Sequence, residues 1–372
     1  MYLSQTVLRA AQVNPAGVAV IFEGLQRTWS DFAERVARMA GALLNAGVKP
    51  GDRVAVLAEN SDRYVELYYS IPWAGAVIVP LNARWTHSEL RYAIDDAGIS
   101  LLFIDEACID NMAALLQACP ALTTVILLND NAASPAASSY PDYETFLSTA
   151  AAVEPRNEDP ESLYGIFYTG GTTGQSKGVM LSNRGLWANA SYIVREYDCR
   201  VGDIVAHVAP MYHMAAGANL LATTNAAATH CVLRRFEPDK VLDAIERDGI
   251  VHLPMVPTMI AMLLDTPGLQ QRDLSSVKRI IYGAAPMSES LLTQLMSVFP
   301  DLALLQVYGQ TEMSPVVTTL GPDCHRPFHP LYAKRLSVGQ PTYATTVRIV
   351  DKQGRDVKTG DSGEILAKGP GA

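Results

Sequence analysis

The sequence predicts an α/β protein built on mainly parallel sheets. Short apolar runs alternate with amphipathic stretches at helical spacing, which is the pattern of strands covered on both faces by helices. Of the 372 residues, 49% are hydrophobic and 18% are charged, so the chain is globular rather than disordered. Four polar or glycine-rich loops directly follow predicted strands, which places a candidate site at the strand ends.

The first half of the chain opens this alternation with a capped helix. Thr28 and Asp31 fit a capping box, the apolar side chains behind them share one helical face, and Gly47 is placed to end the helix. Two more helices are expected over 63–71 and 88–97. The polar, proline-bearing segment 129–145 is expected to be a surface excursion. The predicted strands are 54–58, 76–80, 101–104 and 163–167.

The second half repeats the rhythm and then changes. Helices are expected over 238–247, stopped by Gly249, and over 288–299. After about Gly321 the pattern becomes shorter and more β-like, with strands expected at 347–350 and 363–368. The earlier strands of this half are predicted at 204–208, 229–233, 251–254, 279–282 and 304–307.

Bulk properties exclude several classes of protein. A net charge of −9 argues against a basic surface that binds nucleic acid. Neither a signal peptide nor a transmembrane stretch is recognisable, so a cytoplasmic location is expected. The five cysteines are scattered and odd in number, which favours reduced thiols. The run from Cys324 to His329 resembles a metal site only weakly and is expected to be a plain loop. The sequence does not indicate an oligomeric state.

The glycine-rich loop at 168–178 is suited to a polyphosphate. Its glycines allow backbone N–H groups to approach a ligand closely, while its hydroxyls and Lys177 add donors and positive charge. It is not a Walker A loop, because Ser176 precedes the lysine and Gly178 follows it. The dinucleotide pattern G-x-G-x-x-G is also absent from it.

The turn at 308–312 is the second strong signal. Glu312 offers the oxygen ligand that Mg²⁺ prefers, Thr311 can donate to a phosphate oxygen, and the ring of Tyr308 can flank an adenine. Two further loops follow strands, at 210–213 and 283–286. Since ligands bind outside the carboxyl ends of parallel strands, the four loops predict one composite site.

Together these loops resemble the signatures of the adenylate-forming superfamily, which comprises acyl- and aryl-CoA synthetases, peptide-synthetase adenylation domains and luciferases. The family pattern at the first loop is Tyr-Thr-Ser-Gly-Thr-Thr-Gly-x-Pro-Lys-Gly, in which this chain has Gly170 for the serine and Ser176 for the proline. The family's Tyr-Gly-x-Thr-Glu motif matches residues 308–312. The resemblance runs in order from Thr28 to Pro370.

The resemblance implies a more specific fold than the residues alone. It implies two stacked α/β subdomains over residues 1–325 and the start of a small β subdomain, cut short, over 326–372. The family's downstream ribose-binding aspartate, its hinge and its C-terminal lid domain with the catalytic lysine lie outside this sequence. We therefore expect this chain alone to adenylate poorly and to form almost no thioester.

The resemblance also implies roles for individual residues. Lys177, His213, Thr311 and Glu312 are the expected catalytic residues, with Glu312 as the metal ligand and His213 at the border of the acyl pocket. The residues expected to bind the nucleotide are Thr169, Gly170, Gly171, Thr172, Thr173, Gly174, Gly283, Ala284, Ala285, Pro286, Tyr308, Gly309 and Gln310.

The implied function is ATP-dependent activation of a carboxylic acid to an acyl-adenylate, followed by thioester formation with CoA. ATP, Mg²⁺ and CoA are the expected cofactor and co-substrates, and a small carboxylic acid is the expected partner. Transfer to a carrier protein, another use of the adenylate, and a non-catalytic binding fragment are alternatives. A P-loop kinase is disfavoured by the order Ser176-Lys177-Gly178. Fatty, aryl and short dicarboxylic acids all fit the sequence.

Overall fold

A computed structural model describes residues 1–109, 112–129, 139–156, 159–170 and 175–372. Within these residues the chain forms two large sheets and a separate two-stranded sheet. Helices cover both faces of each large sheet. No helix in the described ranges is long and apolar enough to cross a membrane.

The first large sheet has six strands in the order β6-β5-β3-β4-β7-β8. Its neighbours pair in parallel except for β7 and β8, which form an antiparallel hairpin. Short apolar runs build its central strands, which are buried on both faces as expected for a parallel sheet. Its strands are β3 (Arg53–Leu57), β4 (Val77–Leu81), β5 (Ile99–Ile104), β6 (Thr124–Leu127), β7 (Leu163–Thr169) and β8 (Lys177–Ser182).

The second large sheet has nine strands in the order β15-β14-β13-β12-β11-β9-β10-β1-β2. The strands from β13 to β1 run parallel, while β14, β15 and β2 are antiparallel to their neighbours. Its strands are β1 (Val18–Phe22), β2 (Leu25–Thr28), β9 (Ile204–His207), β10 (Thr229–Val232), β11 (His252–Met255), β12 (Arg279–Gly283), β13 (Ala303–Gly309), β14 (Val316–Leu320) and β15 (Gln340–Pro341). The separate hairpin consists of β16 (Thr346–Val350) and β17 (Glu364–Lys368).

The helices divide into a central layer and two outer layers. The largest core lies between the two sheets and is filled by α2, α3, α7 and α8 together with the inner faces of the strands. A second core joins α4 and α5 to the outer face of the six-stranded sheet, and a third joins α9 to α11 to the nine-stranded sheet. The helices are α1 (Ser4–Val13), α2 (Trp29–Asn45), α3 (Asp62–Trp73), α4 (His87–Ala97), α5 (Met112–Ala118), α6 (Tyr143–Ser148), α7 (Asn183–Tyr197), α8 (Met214–Asn225), α9 (Pro238–Asp248), α10 (Pro257–Leu264) and α11 (Glu289–Val298).

Local sequence sets the helix ends. The Thr28 hydroxyl accepts a hydrogen bond from the backbone N–H of Asp31 and caps α2, as predicted. A complete capping box joins Thr86 and Glu89 at the start of α4. Gly249 ends α9 with a left-handed φ of 73°, a conformation that glycine adopts without strain.

The predicted α/β class with mainly parallel sheets is confirmed, and each predicted strand is present within a few residues. The hairpin β1–β2 was not predicted. Its first strand pairs in parallel with β10, so Val20 lies beside His230, far along the chain. The division at residue 325 stays a prediction, and β15, which follows that boundary, pairs with β14 in the nine-stranded sheet.

The expectation of a surface excursion over 129–145 is wrong for its described C-terminal end. Residues 130–138 lie outside the described part of the chain. Tyr143 begins α6 with a fully buried ring, and its hydroxyl donates to Glu66 Oε2 at 2.8 Å. The polar, proline-bearing composition of the segment did not indicate that Tyr143 belongs to the central core.

Candidate active site

The predicted phosphate loop joins the two strands of the β7–β8 hairpin. Thr169 ends β7, and Lys177 begins β8 directly opposite it. Gly170 is exposed, and a side chain there would meet no atom of the described residues within 4 Å. Gly171, Thr172, Thr173 and Gly174 lie outside the described residues.

The predicted acidic turn lies between β13 and β14. It is a single 3₁₀ turn, Thr311–Met313, in which Gln310 N–H donates to Pro315 O at 3.0 Å and Met313 N–H donates to Gln310 O at 2.9 Å. A Cβ atom at Gly309 would overlap the carbonyl oxygen of Pro315, so this position requires glycine. The closed turn leaves the Glu312 side chain exposed.

The loop and the turn come from different sheets, yet they meet. Strand β8 lies against the turn Thr311–Met313. The helix that follows β8 holds the turn in place: the Asn189 amide of α7 donates to the carbonyl oxygens of Met313 and Val316, each at 3.2 Å. Asn189 is buried, so these bonds are shielded from water. The single sheet edge expected from sequence is therefore a junction between two sheets.

Two charged side chains at this junction are available to a ligand. Lys177 and Glu312 are both exposed. Among the described residues, neither forms a hydrogen bond or an ion pair. An exposed ammonium and an exposed carboxylate on adjoining elements can serve the phosphates and the cation of a nucleotide, respectively.

The 283–286 segment leaves β12 at the edge where β13 ends. A Cβ atom at Gly283 would overlap the carbonyl oxygen of Val307, so β12 and β13 approach closely only because this residue is glycine. Ala284 follows with a left-handed φ of 62°, which is uncommon for a residue with a side chain. Ala284, Ala285 and Pro286 are exposed.

Two cavities share this segment and the end of β13 as a common wall. The first lies between the ends of β11 to β13 and the start of α8, and holds about 630 Å³ including its open mouth. Its lining is mostly alanine, valine and other apolar side chains, together with Asn219 and the tyrosines Tyr197, Tyr282 and Tyr308. The Tyr197 hydroxyl donates to Asn219 Oδ1 at 2.7 Å. No charged side chain lines it among the described residues.

The second cavity lies on the other side of the shared wall. It is lined by residues 284–287, by the end of β13 including Tyr308, and by Arg335, Leu336 and Val338. The Tyr308 side chain is 36% exposed, so its ring can still cover a ligand. Arg335 pairs with Glu289 of α11 at the edge of this cavity.

A family model described as an AMP-binding enzyme matches residues 7–372. The chain belongs to the AMP-binding enzyme family. A fatty acid–[acyl-carrier-protein] ligase, ScoC, from Streptomyces coeruleorubidus is 32% identical over 374 residues, covering 99% of this chain and 69% of the relative. A feruloyl-CoA synthase from an Amycolatopsis species is 32% identical over 364 residues, covering 98% and 69%.

A solved structure supports the fold of this AMP-binding enzyme. The inhibitor-bound N-terminal domain of FACL13 from Mycobacterium tuberculosis superposes with a TM-score of 0.87 at 25% identity, covering 100% of this chain and 89% of that one. The family and fold predicted from the sequence motifs, and the prediction of a ligase, are thereby confirmed. The residue roles remain predictions.

His213 lies at the border of the first cavity, and its expected role there stays a prediction. It is the N-cap residue of α8, its side chain is exposed, and it is not among the residues that line the first cavity. Its neighbours Ala215 and Ala216 do line the cavity. Protein atoms around the ring and the charge of Arg84 lower the pKa of His213, which favours the neutral imidazole at neutral pH. His213 therefore lies beside the cavity. The centres of the Tyr212 and His213 rings are 4.6 Å apart.

None of the cysteines and histidines, all of which lie in the described part of the chain, lines either of the two cavities. All five cysteines are free, as expected. His325 is buried and bonded to the Tyr282 hydroxyl at 2.8 Å, so the run from Cys324 is a structural loop. Cys199, Asp203 and His252 lie close together at the starts of β9 and β11, the opposite strand ends from the two cavities. Burial and the charge of Arg279 lower the pKa of His252, while Asp203 and Asp198 raise it.

Sequence reasoning missed Asn189, Tyr197, Asn219 and Arg335. Each is a single polar residue in a helix or loop without a motif around it. Only the tertiary fold brings them to the junction and the two cavities.

Proposed function

We propose that this AMP-binding enzyme activates a carboxylic acid with ATP and passes the acyl group to a thiol, normally that of CoA. One observation carries the proposal: two cavities share a wall at the ends of β12 and β13. The first is lined mainly by apolar side chains, and the second includes Tyr308, whose ring can stack on a flat group such as adenine. The first half-reaction needs an acid and ATP held side by side. Such alignment replaces a bimolecular encounter and supplies much of the catalysis.

The nucleotide occupies the second cavity in this proposal. The adenine lies between Tyr308 and the exposed backbone of Ala284 to Pro286, and the phosphates extend toward the β7–β8 loop. Lys177 and the hydroxyls of Thr169 and Thr311 then donate to the phosphate oxygens. No described residue crowds Gly170, which allows its backbone to approach them closely.

Glu312 is the residue that fits a Mg²⁺ ion. Its carboxylate is exposed and, among the described residues, unpaired, and carboxylate oxygen is the ligand type that Mg²⁺ prefers. When bound, Mg²⁺ would neutralise phosphate charge. Asn189 contributes by holding the Met313 carbonyl, so the turn that carries Glu312 keeps its shape.

In the first step a carboxylate oxygen of the acid attacks the α-phosphorus of ATP. An O–P bond forms, the bond to the bridging oxygen breaks, and pyrophosphate leaves. In the second step the thiol sulfur attacks the acyl carbon, AMP leaves with the bonding electron pair, and the thiol proton is released to solvent. This chain's own contribution is to bind, align and neutralise the anionic reactants.

The first cavity indicates the class of acid. Its apolar lining, without a charged side chain among the described residues, favours a monocarboxylic acid with an aryl or alkyl tail over a dicarboxylic acid. The Tyr197–Asn219 pair is available to a hydroxyl or ether group on that tail.

A carrier-protein thiol is the second candidate acceptor. The observation that favours it is the 32% identity over 99% of this chain to a fatty acid–carrier ligase. ATP–pyrophosphate exchange over a panel of acids tests the first step, and calorimetric titration with AMP and with a non-hydrolysable acyl-adenylate tests binding independently of turnover. Thioester formation with free CoA or with a phosphopantetheinylated carrier then distinguishes the acceptors. A chain that binds neither AMP nor any acyl-adenylate would contradict the proposal.

A further inference from the structure

A buried asparagine just before α3 ties the two sheets together beside the first cavity. Asn60 is 2% exposed. Its side-chain oxygen accepts from Met211 N–H at 2.9 Å, and its amide donates to the carbonyl oxygens of Ala209 at 3.0 Å and Leu233 at 3.1 Å. One side chain from the six-stranded half thus fixes the chain that leaves β9 and β10 of the other sheet.

A buried tyrosine of α3 binds the other backbone polar group of Met211. Tyr68 is fully buried, and its hydroxyl donates to the carbonyl oxygen of Met211. Met211 therefore has its N–H bonded to Asn60 and its C=O bonded to Tyr68. Both backbone groups of one residue are held by side chains from the first sheet's layer, and both bonds lie away from water.

The held segment forms part of the cavity wall. Ala209 lines the first cavity, and α8, which starts three residues after Met211, supplies further lining residues. Helix α8 also packs on Tyr68: a Cβ atom at Gly217 would lie 2.9 Å from the Tyr68 hydroxyl oxygen. The tyrosine thus sets both the path of the loop and the depth at which α8 lies.

We propose that Asn60 and Tyr68 are positioning residues for the acid-binding side of the site. Neither lines the first cavity, so they act through Met211 and α8 rather than by touching the substrate. The nucleotide cavity uses other elements, namely residues 284–287, the end of β13 and residues 335–338. Loss of the hydrogen bonds from Asn60 and Tyr68 to Met211 should therefore weaken acid binding more than nucleotide binding. This inference rests on the proposed function of the first cavity.

Helix α3 offers a matched control. Tyr64 lies one turn before Tyr68, is equally buried, and its hydroxyl has no hydrogen-bond partner among the described residues. Tyr68→Phe and Tyr64→Phe each remove one buried oxygen from the same helix. Only the first of them removes a bond to the cavity wall.

The test titrates AMP and a non-hydrolysable acyl-adenylate into the parent chain and both variants, with Tm measured alongside. We expect Tyr68→Phe to weaken acyl-adenylate binding about fivefold, the effect of one lost buried hydrogen bond, while AMP binding changes less than about twofold. Tyr64→Phe should leave both constants unchanged. Asn60→Ala should act in the same direction as Tyr68→Phe and more strongly, because it removes four bonds, one of them a long contact of 3.5 Å to His207 O.

A second variant keeps the test valid if Tyr68→Phe folds poorly. Gly217→Ala adds a methyl group against the Tyr68 hydroxyl and should also weaken acyl-adenylate binding selectively. In the double variant the hydroxyl that meets this methyl is gone, so the combined loss should be smaller than the sum of the two.

The outcomes separate this inference from the proposed function. If the parent binds neither ligand, the proposed function fails and the inference fails with it. If the parent binds both and Tyr68→Phe matches Tyr64→Phe in acyl-adenylate binding, then only the positioning role is overturned. A drop in Tm without a change in the ratio of the two binding constants would likewise mean a purely structural role.

Discussion

Thr169 and Lys177 are cross-strand partners at the loop end of the β7–β8 hairpin. The hairpin presents a hydroxyl and an ammonium from opposite strands at one end, against the turn that carries Glu312. Antiparallel pairing fixes the separation of these two residues even though the loop between them is rich in glycine. The hairpin therefore supplies a rigid base for the loop that we propose to bind phosphate.

We expect Lys177→Ala to weaken ATP binding about tenfold and to leave AMP binding nearly unchanged, because the proposed site puts the lysine at the outer phosphates that AMP lacks. Lys177 is exposed, so Tm should stay within about 2 °C. Lys240→Ala, at another exposed lysine, is the control. Equal loss of ATP and AMP binding would contradict a role at the outer phosphates.

The ion pairs of Arg35 in α2 with Glu66 and Glu144 should contribute strongly to the free energy of unfolding. Arg35 binds Glu66 at 2.6 Å and Glu144 at 2.7 Å, and the Glu66 side chain is fully buried. Burial raises the pKa of Glu66, and the charge of Arg35 counteracts this. Arg35→Met would leave the carboxylate without its main partner, so we expect unfolding free energy to fall by about 3 kcal/mol.

Urea unfolding at pH 7 measures this effect. Arg38→Met is the matched control in the same helix, because Arg38 pairs with Glu34 at the surface. Its loss should cost no more than about 0.5 kcal/mol. A similar cost for both variants would show that the buried network does not contribute as argued.

Two stacked histidines should make the fold sensitive to mild acid. His207 Nε2 lies 2.9 Å from His230 Nδ1, and both rings are buried. Burial lowers the pKa of His207 to about 3, and burial together with His207 lowers the pKa of His230 well below its usual value. The unfolded chain protonates these rings near pH 6.5 and therefore binds more protons than the folded chain below that pH.

Stability should consequently be complete above about pH 6.5 and fall as the pH drops toward 3. Each ring contributes a slope of at most about 1.4 kcal/mol per pH unit in this window. His207→Gln should make the pH dependence of unfolding shallower by roughly that amount. His329→Gln, at a partly exposed ring, is the control and should leave the slope unchanged. An unaltered slope in His207→Gln would refute the assignment.

The first cavity predicts a change of acid specificity. Ala215 lines the cavity near its mouth, where its side chain is exposed. Ala215→Phe should occupy space needed by the acid tail and raise the KM for long or aryl acids at least about tenfold, with the KM for ATP unchanged. Pyrophosphate exchange with a series of acids of increasing length measures this. A uniform loss across all lengths would mean that the cavity does not hold the tail.

The sequence predicts the strands well because each is a short apolar run bounded by turn residues. It does not predict β1–β2, since the pairing of Val20 with His230 depends on residues far apart in the chain. Nor does it predict Tyr143 as a core residue, because its partner Glu66 lies 77 positions away. Local composition and tertiary environment disagree at both places, and the tertiary environment decides.

The same distinction separates the site residues. Loops with an unusual local composition, such as 169–178 and 308–312, can be recognised from the sequence alone. Asn189 cannot, because an asparagine inside a helix has no distinctive pattern, and its role arises only where α7 crosses the turn at Met313. Nor does the motif at 210–213 show which way the His213 side chain faces, and the structure places it beside the first cavity rather than in its lining.

The central claim is that the β7–β8 loop and the turn with Glu312 serve one nucleotide. The most direct test is ATP affinity with and without Mg²⁺ in the parent chain, in Glu312→Gln and in the control Glu364→Gln on β17. We predict that Mg²⁺ strengthens ATP binding at least about tenfold in the parent and the control, and that Glu312→Gln removes this gain while retaining AMP binding. A full Mg²⁺ effect in Glu312→Gln would contradict the claim.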